Sequence, residues 1–420
     1  MMLMTGFSCF CCGKMLAADY AGYTCPDCGG NLDIIYDYAS ARTALDRNDP
    51  FAGPRQDQFK FHLLMPLESI ENAPPLRVGA TPLHAVPQLG ALAGLRNLYL
   101  KDEGLNPSQS FKDRASAMII ARAVEQDLDV VCGASTGNAG SSMACMAAAA
   151  QRPCVVFVPE AAPPAKIAQL LIYGAKVIAV RGTYDDAFDL CAQVCEERGW
   201  FNRNTGFNPF TREGKKTCSY EICEQLGWTA PDRVIVPTGD GNIISGIWKG
   251  MRDCHALGLI DTLPKIDCAQ AEGSAAITRA IETARAERFV PDGANWSALK
   301  IEAVRAKTLA DSISVDDPRD GLAAVRSVIE SGGEAVTATD EEILDAIKEV
   351  ARHTGVFVEP SCACAWAGLK KLALEGRVDP DERIVCLMTG CGLKDIQNAR
   401  KVAGDPITIN PDLETALAVL

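Results

Sequence analysis

The sequence lacks the features that would tie it to a membrane or to nucleic acid. It has no apolar run long enough to span a membrane, and no basic segment precedes an apolar one at its start, so it predicts neither a transmembrane helix nor a secretory signal. Basic residues are not in excess either, since 41 Lys and Arg stand against 54 Asp and Glu and the formal net charge is −13. This charge disfavours nucleic acid and anionic membranes as main partners, although a local site can still bind a small anion.

Histidine is scarce, whereas cysteine is abundant. The histidines are scattered without ligand spacing, which disfavours a histidine metal site or a catalytic triad; they are His62, His84, His255 and His353. The 18 cysteines, in a sequence without a secretory signal, indicate a reducing compartment in which thiols fill the core or bind metal. We therefore expect a cytoplasmic protein, and its 420 residues allow two or three domains.

Two C-x-x-C pairs near the start have the spacing of a zinc ribbon, in which two turns supply four thiolates to a structural zinc ion. The predicted ligands are Cys9, Cys12, Cys25 and Cys28. Cys11 is a spare thiol, and the glycine after each pair suits a turn with positive φ. A predicted strand at 32–36 would complete a small domain over residues 1–38. Two alternatives remain: a ribbon that keeps its shape without metal, and a redox-labile thiol cluster.

The rest of the chain predicts an α/β fold. Residues 42–60 are polar, contain Pro and Gly, and indicate a linker. From about residue 74, short β-branched segments alternate with longer helical patterns, which is typical of a mostly parallel sheet covered by helices. The predicted strands are 129–132, 154–158, 176–180, 234–236, 266–271 and 384–388. The predicted helices are 139–151, 165–173, 184–198, 214–226 and 340–354. Ligands of such folds bind in the loops at the carboxyl ends of the strands.

The segment 101–114 contains the first candidate residue. A predicted strand at 96–101 precedes it, a predicted helix at 115–124 follows it, and Ser110 is a good N-cap, so Lys112 falls in the first helical turn. The positive end of the helix dipole disfavours an ammonium group there and favours the neutral amine that Schiff-base chemistry requires. The alternative is an ordinary solvated lysine on the surface.

A second loop, at 133–140, follows the strand predicted at 129–132. It places small hydroxyl residues and glycines at a helix start, where backbone N–H groups and hydroxyls can bind an anion. Asn138 adds an amide that can donate to a phenolate or carboxylate oxygen. The alternative is a generic turn between a strand and a helix.

Two more loops follow predicted strands. In 237–246, Gly239 and Gly241 allow a concave backbone that can hold a phosphate at a helix start, and we expect the Asp240 side chain to point away from such a dianion. In the loop at 387–395, the hydroxyl of Thr389 can bind a ring nitrogen without adding charge, or can satisfy local backbone. The four loops together supply what pyridoxal phosphate (PLP) needs for its aldehyde, 3′-oxygen, phosphate and pyridine nitrogen.

Five segments make the sequence similar to threonine synthase and its relatives in the tryptophan-synthase-β fold group. They are SFKDR (110–114), ASTGN (134–138), NPFTREGKKT (208–217), FVEPSCACAWAGL (357–369) and TGCGLKD (389–395). The resemblance implies a two-lobed α/β fold of PLP fold type II with a small zinc-ribbon-like domain at its N-terminus. The larger lobe would span about 39–112 and 208–420, and the smaller, mobile lobe about 113–207. A homodimer is the default state in this group.

By this resemblance, Lys112 would hold PLP as a Schiff base and transfer protons. Asn138 would contact the 3′-oxygen, and Thr389 would face the ring nitrogen, where a neutral hydroxyl suits elimination and replacement over transamination. The cofactor phosphate would lie on Gly239, Asp240, Gly241 and Asn242. The substrate-binding candidates are Ser135, Thr136, Asn204, Thr205 and Arg212. The implied reaction converts O-phospho-L-homoserine and water to L-threonine and phosphate, by γ-elimination and then addition of water at the β carbon.

The chain departs from the family pattern in four ways. The segment 160–164 (EAAPP) lacks the basic residue that members usually have there for the substrate phosphate, and the usual arginine near Thr211 is shifted to Arg212. The glycine loop is one residue shorter, and Cys391 stands where the family usually has His. Because a charge-assisted contact contributes about 1.5–3 kcal/mol, the missing cations bear on the choice of substrate more than on the fold or cofactor.

Two other functions stay open. One is β-elimination or β-replacement on another amino acid, as in a serine/threonine dehydratase-like or cysteate-synthase-like enzyme. The other is a catalytically inactive homologue whose ribbon and surface mediate interactions. The presence of Lys112, Asn138 and Thr389 disfavours this second alternative. In the favoured function the partner is a small amino-acid substrate.

Overall fold

The computed structural model of the protein describes residues 2–46, 49–162 and 164–420. Parts of three predictions lie outside the described residues: the start of the cysteine domain, two positions of the linker and one position of the segment 160–164. These positions are Met1, Arg47, Asn48 and Pro163. None of the described helices is both long enough and apolar enough to cross a membrane.

Strands and helices alternate through most of the chain. The strands are β1 (Met4–Cys9), β2 (Met15–Ala17), β3 (Leu32–Tyr36), β4 (Leu83–Ala85), β5 (Asn97–Asp102), β6 (Val131–Ala134), β7 (Cys154–Pro159), β8 (Lys176–Val180), β9 (Phe201–Asn202), β10 (Arg233–Pro237), β11 (Lys265–Ala271), β12 (Ala335–Ala338) and β13 (Arg383–Met388). The helices are α1 (Tyr38–Ala44), α2 (Pro87–Ala91), α3 (Lys112–Glu125), α4 (Asn138–Ala149), α5 (Pro164–Ile172), α6 (Tyr184–Arg198), α7 (Phe210–Lys215), α8 (Thr217–Gln225), α9 (Asn242–Ala256), α10 (Ala276–Ala286), α11 (Gly321–Ser331), α12 (Asp340–Thr354), α13 (Pro360–Leu374), α14 (Ile396–Ala403) and α15 (Leu413–Ala418).

The described strands form three sheets. The N-terminal sheet has the antiparallel order β2-β1-β3. The larger sheet has the order β12-β11-β10-β13-β5-β4 and is parallel except for β4 at its edge. The smaller sheet, β8-β7-β6-β9, is parallel throughout. All its strands lie within 113–207, whereas the lobe boundaries themselves stay a prediction.

The sequence predicted a part of these elements, and the predicted ones lie close to their observed positions. The strand predicted at 176–180 is β8, and the other predicted strands overlap β6, β7, β10, β11 and β13. The helix predicted at 214–226 is instead two helices, α7 and α8, with Lys216 between them. The start of the predicted linker also differs, because residues 42–44 belong to α1, which Asp37 caps at its N-terminus.

Capping residues set the limits of two covering helices. The Thr339 hydroxyl accepts a hydrogen bond from the Glu342 backbone N–H, the Glu342 carboxylate accepts one from the Thr339 N–H, and α12 ends before Gly355, which has a φ of 76°. Thr183 and Asp186 make the same reciprocal pair at the start of α6. The helices predicted at 184–198 and 340–354 match α6 and α12 at both ends.

The larger sheet brings three candidate loops together. Strand β13 pairs in parallel with β10 on one side and with β5 on the other, so the loops that follow these strands leave the same edge. Two of the loops are also joined directly, because the Phe111 N–H donates to the Thr389 carbonyl oxygen at 2.9 Å. The loop after β6 in the smaller sheet lines the same cavity, of about 530 Å³.

Candidate active site

Lys112 is the first residue of α3, as the sequence predicted for the start of this helix. The N-cap of α3 is Phe111 and not Ser110, which the sequence predicted. The Ser110 Oγ nevertheless accepts a hydrogen bond from the Lys112 N–H at 3.2 Å. Ser110 therefore still satisfies a donor of the first turn. The Lys112 side chain lines the cavity.

Burial lowers the pKa of Lys112 to about 8; the charges of Glu359 and Asp240 oppose this decrease, and that of Arg203 adds to it. The direction agrees with the argument from sequence, but the main cause is removal from water rather than the helix dipole. An amine with this pKa is partly neutral near neutral pH, so it can act as a nucleophile and accept a proton.

Asn138 is the first residue of α4, and its amide is held at the cavity wall. Its Nδ2 donates to the two carboxylate oxygens of Glu359 at 3.0 and 3.1 Å and to the Ser312 Oγ at 3.3 Å. Glu359 is buried, and this burial raises its pKa. Glu359 therefore orients the amide, while Ser135 and Thr136 line the cavity just before it.

The loop after β10 forms a narrow turn at the start of α9. Gly241 has a φ of 97°, and a Cβ there would lie 2.6 Å from the Asp320 carbonyl oxygen. A Cβ on Gly239 would lie 2.8 Å from the Cα of Ile313. Glycine is therefore required at both positions. Because the first N–H groups of a helix have no partner within it, this turn can bind an anion.

Lys215 on α7 brings a buried amine to this loop. Its Nζ donates to the Asn242 Oδ1, and the Thr211 hydroxyl, one helical turn earlier, donates to the same oxygen at 3.3 Å. Lys215 makes no ion pair with any described carboxylate. Burial, with repulsion from Lys112 and Arg203, lowers the pKa of Lys215 well below its usual value. The glycine loop therefore has a neighbouring buried amine without an ion pair, and a phosphate bound there would favour its charged form.

The Asp240 side chain belongs to the cavity wall. Its Oδ1 accepts a hydrogen bond from the Arg319 N–H at 2.8 Å, whereas its Oδ2 is buried and has no hydrogen-bond partner among the described residues. Burial and the charge of Asp320 raise the pKa of Asp240 to about 6. The expectation that this side chain points away from the loop is met only in part, because one oxygen contacts the Arg319 backbone while the residue still lines the cavity.

Thr389 follows β13, is buried and lines the cavity. Cys391 is not among the described residues that line it. Its N–H instead donates to the Gln109 carbonyl oxygen at 3.2 Å, which joins its loop to that of Lys112. The departure from the family pattern at Cys391 therefore lies behind the cavity wall.

The cavity brings together nearly all of the predicted site. The predicted residues that line it are Lys112, Ser135, Thr136, Asn138, Asn204, Thr205, Gly239, Asp240, Gly241, Asn242 and Thr389. Asn204 also supports the loop after β6, because its Oδ1 accepts a hydrogen bond from the Ala134 N–H at 2.8 Å.

The structure does not bring Arg212 to this cavity, so its predicted role in substrate binding is corrected. Its Nη2 donates to both carboxylate oxygens of Asp320 at 2.6 and 2.8 Å, and its Nη1 donates to the Leu32 carbonyl oxygen at 3.0 Å. The guanidinium carbon also lies 4.4 Å from the centroid of the Phe10 ring. Arg212 thus joins the N-terminal sheet to the body, and sequence spacing alone could not show which side of α7 its side chain occupies.

Three buried charged residues of the cavity were not singled out from the sequence. They are Arg203, Lys215 and Glu359. Lys215 and Glu359 lie within two of the family-like segments. A charged residue in a helical segment that is otherwise buried could have marked each of them as a functional candidate. Arg203 lies between β9 and α7, and only the tertiary structure shows that it is buried beside Lys112.

The cysteines of the predicted ribbon converge on one point. The Sγ atoms of Cys9 and Cys28 lie 3.4 Å apart, those of Cys12 and Cys28 lie 3.5 Å apart, and those of Cys12 and Cys25 lie 3.7 Å apart. Tetrahedral zinc with bonds of about 2.3 Å to sulfur requires ligand separations of about 3.8 Å. The glycines after the two pairs have φ values of 73° and 71°, as the sequence predicted.

The chain is similar to curated relatives along almost its whole length. It is 40% identical to the threonine synthase of Methanocaldococcus jannaschii, in an alignment that covers 98% of both chains. It is 36% identical to the threonine synthase of Methanosarcina acetivorans, over 98% of this chain and 97% of that one. With the threonine synthase of Mycobacterium leprae it shares 37% identity over 81% of this chain and 88% of that one.

Solved structures show the same fold at lower identity. Threonine deaminase isoform 2 from Solanum lycopersicum matches with a TM-score of 0.63 and 23% identity over 77% of this chain and 82% of that one. Maize serine racemase matches with a TM-score of 0.62 and 24% identity over 74% of this chain and 88% of that one. Residues 75–390 also match the sequence model of a family described as pyridoxal-phosphate dependent enzyme. The chain therefore belongs to the pyridoxal-phosphate-dependent enzyme family, and within that family it groups with the threonine synthases.

Proposed function

We propose that the protein converts O-phospho-L-homoserine and water to L-threonine and phosphate. The observation that carries this proposal is the position of Lys112, a lysine with a lowered pKa that shares one cavity with the loop after β6, the glycine loop and Thr389. The relatives that align with nearly the whole chain are named threonine synthases, which favours this reaction among those of the fold.

The residues of the cavity fit PLP. Lys112 offers an amine to the aldehyde, and the start of α9 suits the phosphate dianion, which would favour the charged form of the Lys215 amine beside it. The Asn138 amide can donate to the phenolate oxygen, and the Thr389 hydroxyl can bind the ring nitrogen without adding charge. When bound, PLP supplies an electron sink that stabilises negative charge on carbon atoms of the substrate.

The chain's own groups supply binding and proton transfer. The Lys112 Nζ can accept a proton from the substrate and return it, because its lowered pKa leaves both protonation states accessible near neutral pH. Ser135 and Thr136 offer hydroxyls before the start of α4, where the helix terminus favours a substrate carboxylate. The enclosing loops of both sheets limit the access of water to the reacting carbon atoms.

A product assay tests the reaction. Purified, PLP-loaded protein is given O-phospho-L-homoserine, L-serine, L-threonine or O-phospho-L-serine in parallel, with the Lys112→Ala variant as control. We expect phosphate and threonine to appear together in equal amounts from the first substrate only. If 2-oxo acid and ammonia form from serine or threonine and no threonine is made, the site performs β-elimination instead and the proposal fails.

We further propose that the N-terminal cysteines hold a structural zinc ion. Their sulfur separations suit tetrahedral coordination, and four thiolates leave no open position for catalysis. Elemental analysis should find about one zinc ion per chain. Cys25→Ser should lower the zinc content and the stability, whereas Cys11→Ser, which changes the spare thiol, should leave both unchanged. A purified wild-type protein without metal would contradict this proposal.

The cytoplasm is the compartment that we propose, because all the cysteines are free thiols in the structure and suit reducing conditions. Fractionation of cells that produce the protein would test this. The homodimer also stays a prediction, for which the molar mass in solution, measured by light scattering, is the direct test.

A further inference from the structure

Arg203 is a buried cation without a counter-ion in the cavity wall. It is 2% exposed and makes no ion pair with any described carboxylate. The hydrogen bonds of its guanidinium reach hydroxyl groups only: Nη1 donates to the Thr205 Oγ1 at 2.5 Å, and Nε and Nη2 donate to the Ser116 Oγ at 3.4 Å. Burial lowers its pKa to about 10, which still leaves the guanidinium charged at neutral pH. Such a charge is costly unless an anion binds beside it.

The neighbours of Arg203 place it near the reactive amine. Its N–H donates to the Cys132 carbonyl oxygen at 2.8 Å, directly before the loop at 133–140. Ser116, which accepts from its guanidinium, lies one helical turn after Lys112 on α3. Arg203 therefore belongs to the part of the cavity where the loop after β6 meets Lys112.

Lys215 occupies the other part, at the glycine loop. It contacts Asn242 at the start of α9, and the nearby charges of Asp240 and Asp320 partly oppose the decrease in its pKa. The cavity thus has basic side chains without an ion pair in two places. The proposed reaction brings two phosphate groups into the cavity, one on PLP and one on the substrate.

We propose that Arg203 binds the phosphate group of the substrate, while Lys215 serves the phosphate of PLP. This inference rests on the proposed function. In this role Arg203 would supply a cation that the chain lacks at the positions usual in the family, because the segment 160–164 contains no basic residue and position 211 is a threonine. The planar guanidinium of Arg203 offers two parallel N–H donors to phosphate oxygens, so Arg203 would select phosphorylated amino acids over serine or threonine.

Lys166 on α5 is the rival cation. Its Nζ makes an ion pair with Asp311, which lines the cavity, and the Lys166 side chain is 30% exposed. Because Asp311 already neutralises this ammonium and water reaches it, Lys166 gains less than Arg203 when a phosphate binds. It therefore serves as the direct comparison in the experiment.

The test measures three constants for PLP-loaded wild type, Arg203→Gln, Arg203→Lys, Lys166→Gln and the exposed control Arg198→Gln on α6. These are the KM for O-phospho-L-homoserine, the inhibition constant of inorganic phosphate and the dissociation constant of PLP. For Arg203→Gln we expect the first two to rise about 10- to 100-fold while the third stays unchanged. Arg203→Lys keeps the charge but not the paired donors, so its values should lie between those of wild type and Arg203→Gln.

Three results would overturn the assignment. An equal rise in the dissociation constant of PLP for Arg203→Gln would place Arg203 at the cofactor phosphate. An unchanged KM for this variant would remove it from phosphate binding, and a rise in KM for Lys166→Gln alone would move the role to Lys166.

Failure of the proposed function is seen separately. In that case the wild type makes no threonine from O-phospho-L-homoserine. Binding of inorganic phosphate is then measured from the absorbance of bound PLP, without turnover. Loss of this binding in Arg203→Gln would support an anion site at Arg203 even then, and retained binding would overturn it.

Discussion

Lys215 and Lys216 are neighbours in the sequence but lie in opposite environments. Carboxylate oxygens of Glu213 and Asp253 lie 2.7 and 2.8 Å from the Lys216 Nζ. Lys215 is equally buried, yet its Nζ contacts the Asn242 amide oxygen and makes no ion pair with a described carboxylate. Of these two lysines, Lys216 therefore has ion pairs on one side of the segment, and Lys215 has none on the other side.

The arginines repeat this contrast. Arg212 is held by Asp320 beside the N-terminal sheet, whereas Arg203, which is buried to the same extent, faces the cavity and contacts only hydroxyl groups. A buried charge that is neutralised within the protein contributes to the architecture, and removal of its partner is strongly destabilising. A buried charge that is not neutralised costs free energy in the free protein, so its position indicates where a ligand supplies the opposite charge.

The largest expected effect concerns the cavity lysine that reacts. Lys112→Ala should reduce turnover by about 10³-fold or more and abolish the absorbance of PLP bound to lysine, because no other group replaces its amine. Lys265→Ala, which removes a lysine that pairs with Glu382 on the surface, is the matched control and should keep full activity. Substantial turnover by Lys112→Ala would refute the mechanism.

Lys216→Met, which removes a buried lysine that has ion pairs, should lower the free energy of unfolding by about 3–5 kcal/mol, since it leaves Asp253 buried without its ion pair and Glu213 with Lys249 as its remaining one. Urea unfolding of the protein without cofactor, followed by circular dichroism, measures this change. A loss smaller than that of a typical exposed lysine would show that the pairing does not stabilise the fold.

Lys215→Met, which removes the buried lysine without an ion pair, should raise the dissociation constant of PLP by about 10- to 100-fold, because one charge-assisted contact to phosphate is lost. The stability of the cofactor-free protein should not fall, since this change leaves no carboxylate without its partner. Equilibrium titration and urea unfolding of the same variant give both values, and a stability loss equal to that of Lys216→Met would erase the contrast.

The pKa of Lys112 gives a pH dependence. Pyridoxal, which lacks the phosphate and so avoids Lys215, should bond to the cofactor-free protein faster as the pH rises, with a midpoint near pH 8 and a plateau above it, because the neutral amine reacts. In Arg203→Gln the midpoint should move to higher pH, since a neighbouring positive charge is removed. Stopped-flow absorbance measures the rate, and a midpoint near that of a free lysine would contradict the burial argument.

The smallest effect is expected at Asp240. Its pKa of about 6 leaves it ionised at neutral pH, so Asp240→Asn should strengthen PLP binding about 2- to 5-fold by removal of a negative charge near the phosphate. Below about pH 6 the wild-type carboxyl is protonated, and the two proteins should converge. Weaker binding by the variant at neutral pH would show that the carboxylate supports the loop through its bond to the Arg319 N–H.

Local sequence signals were sufficient for a part of the elements and for the four loops. The short β-branched segments located most of the parallel strands, and the helical patterns gave α6 and α12 their observed limits. The glycines required at 239 and 241 were visible for the same reason, because a turn at a strand end depends on few residues. Arg212 shows the limit of this approach, since one position along a helix rotates a side chain by about 100° and moves it to another face.

The sequence by itself predicted that Lys112 lies in the first turn of a helix, that four loops carry groups suited to a cofactor, and that four cysteines have the spacing of a ribbon. These features depend on neighbours in the chain. Only the tertiary structure decided that Lys216 and Arg212 are neutralised while Lys215 and Arg203 are not. Burial and counter-ions come from residues far apart in sequence, and they set both the cost of a charge and its freedom to bind a ligand.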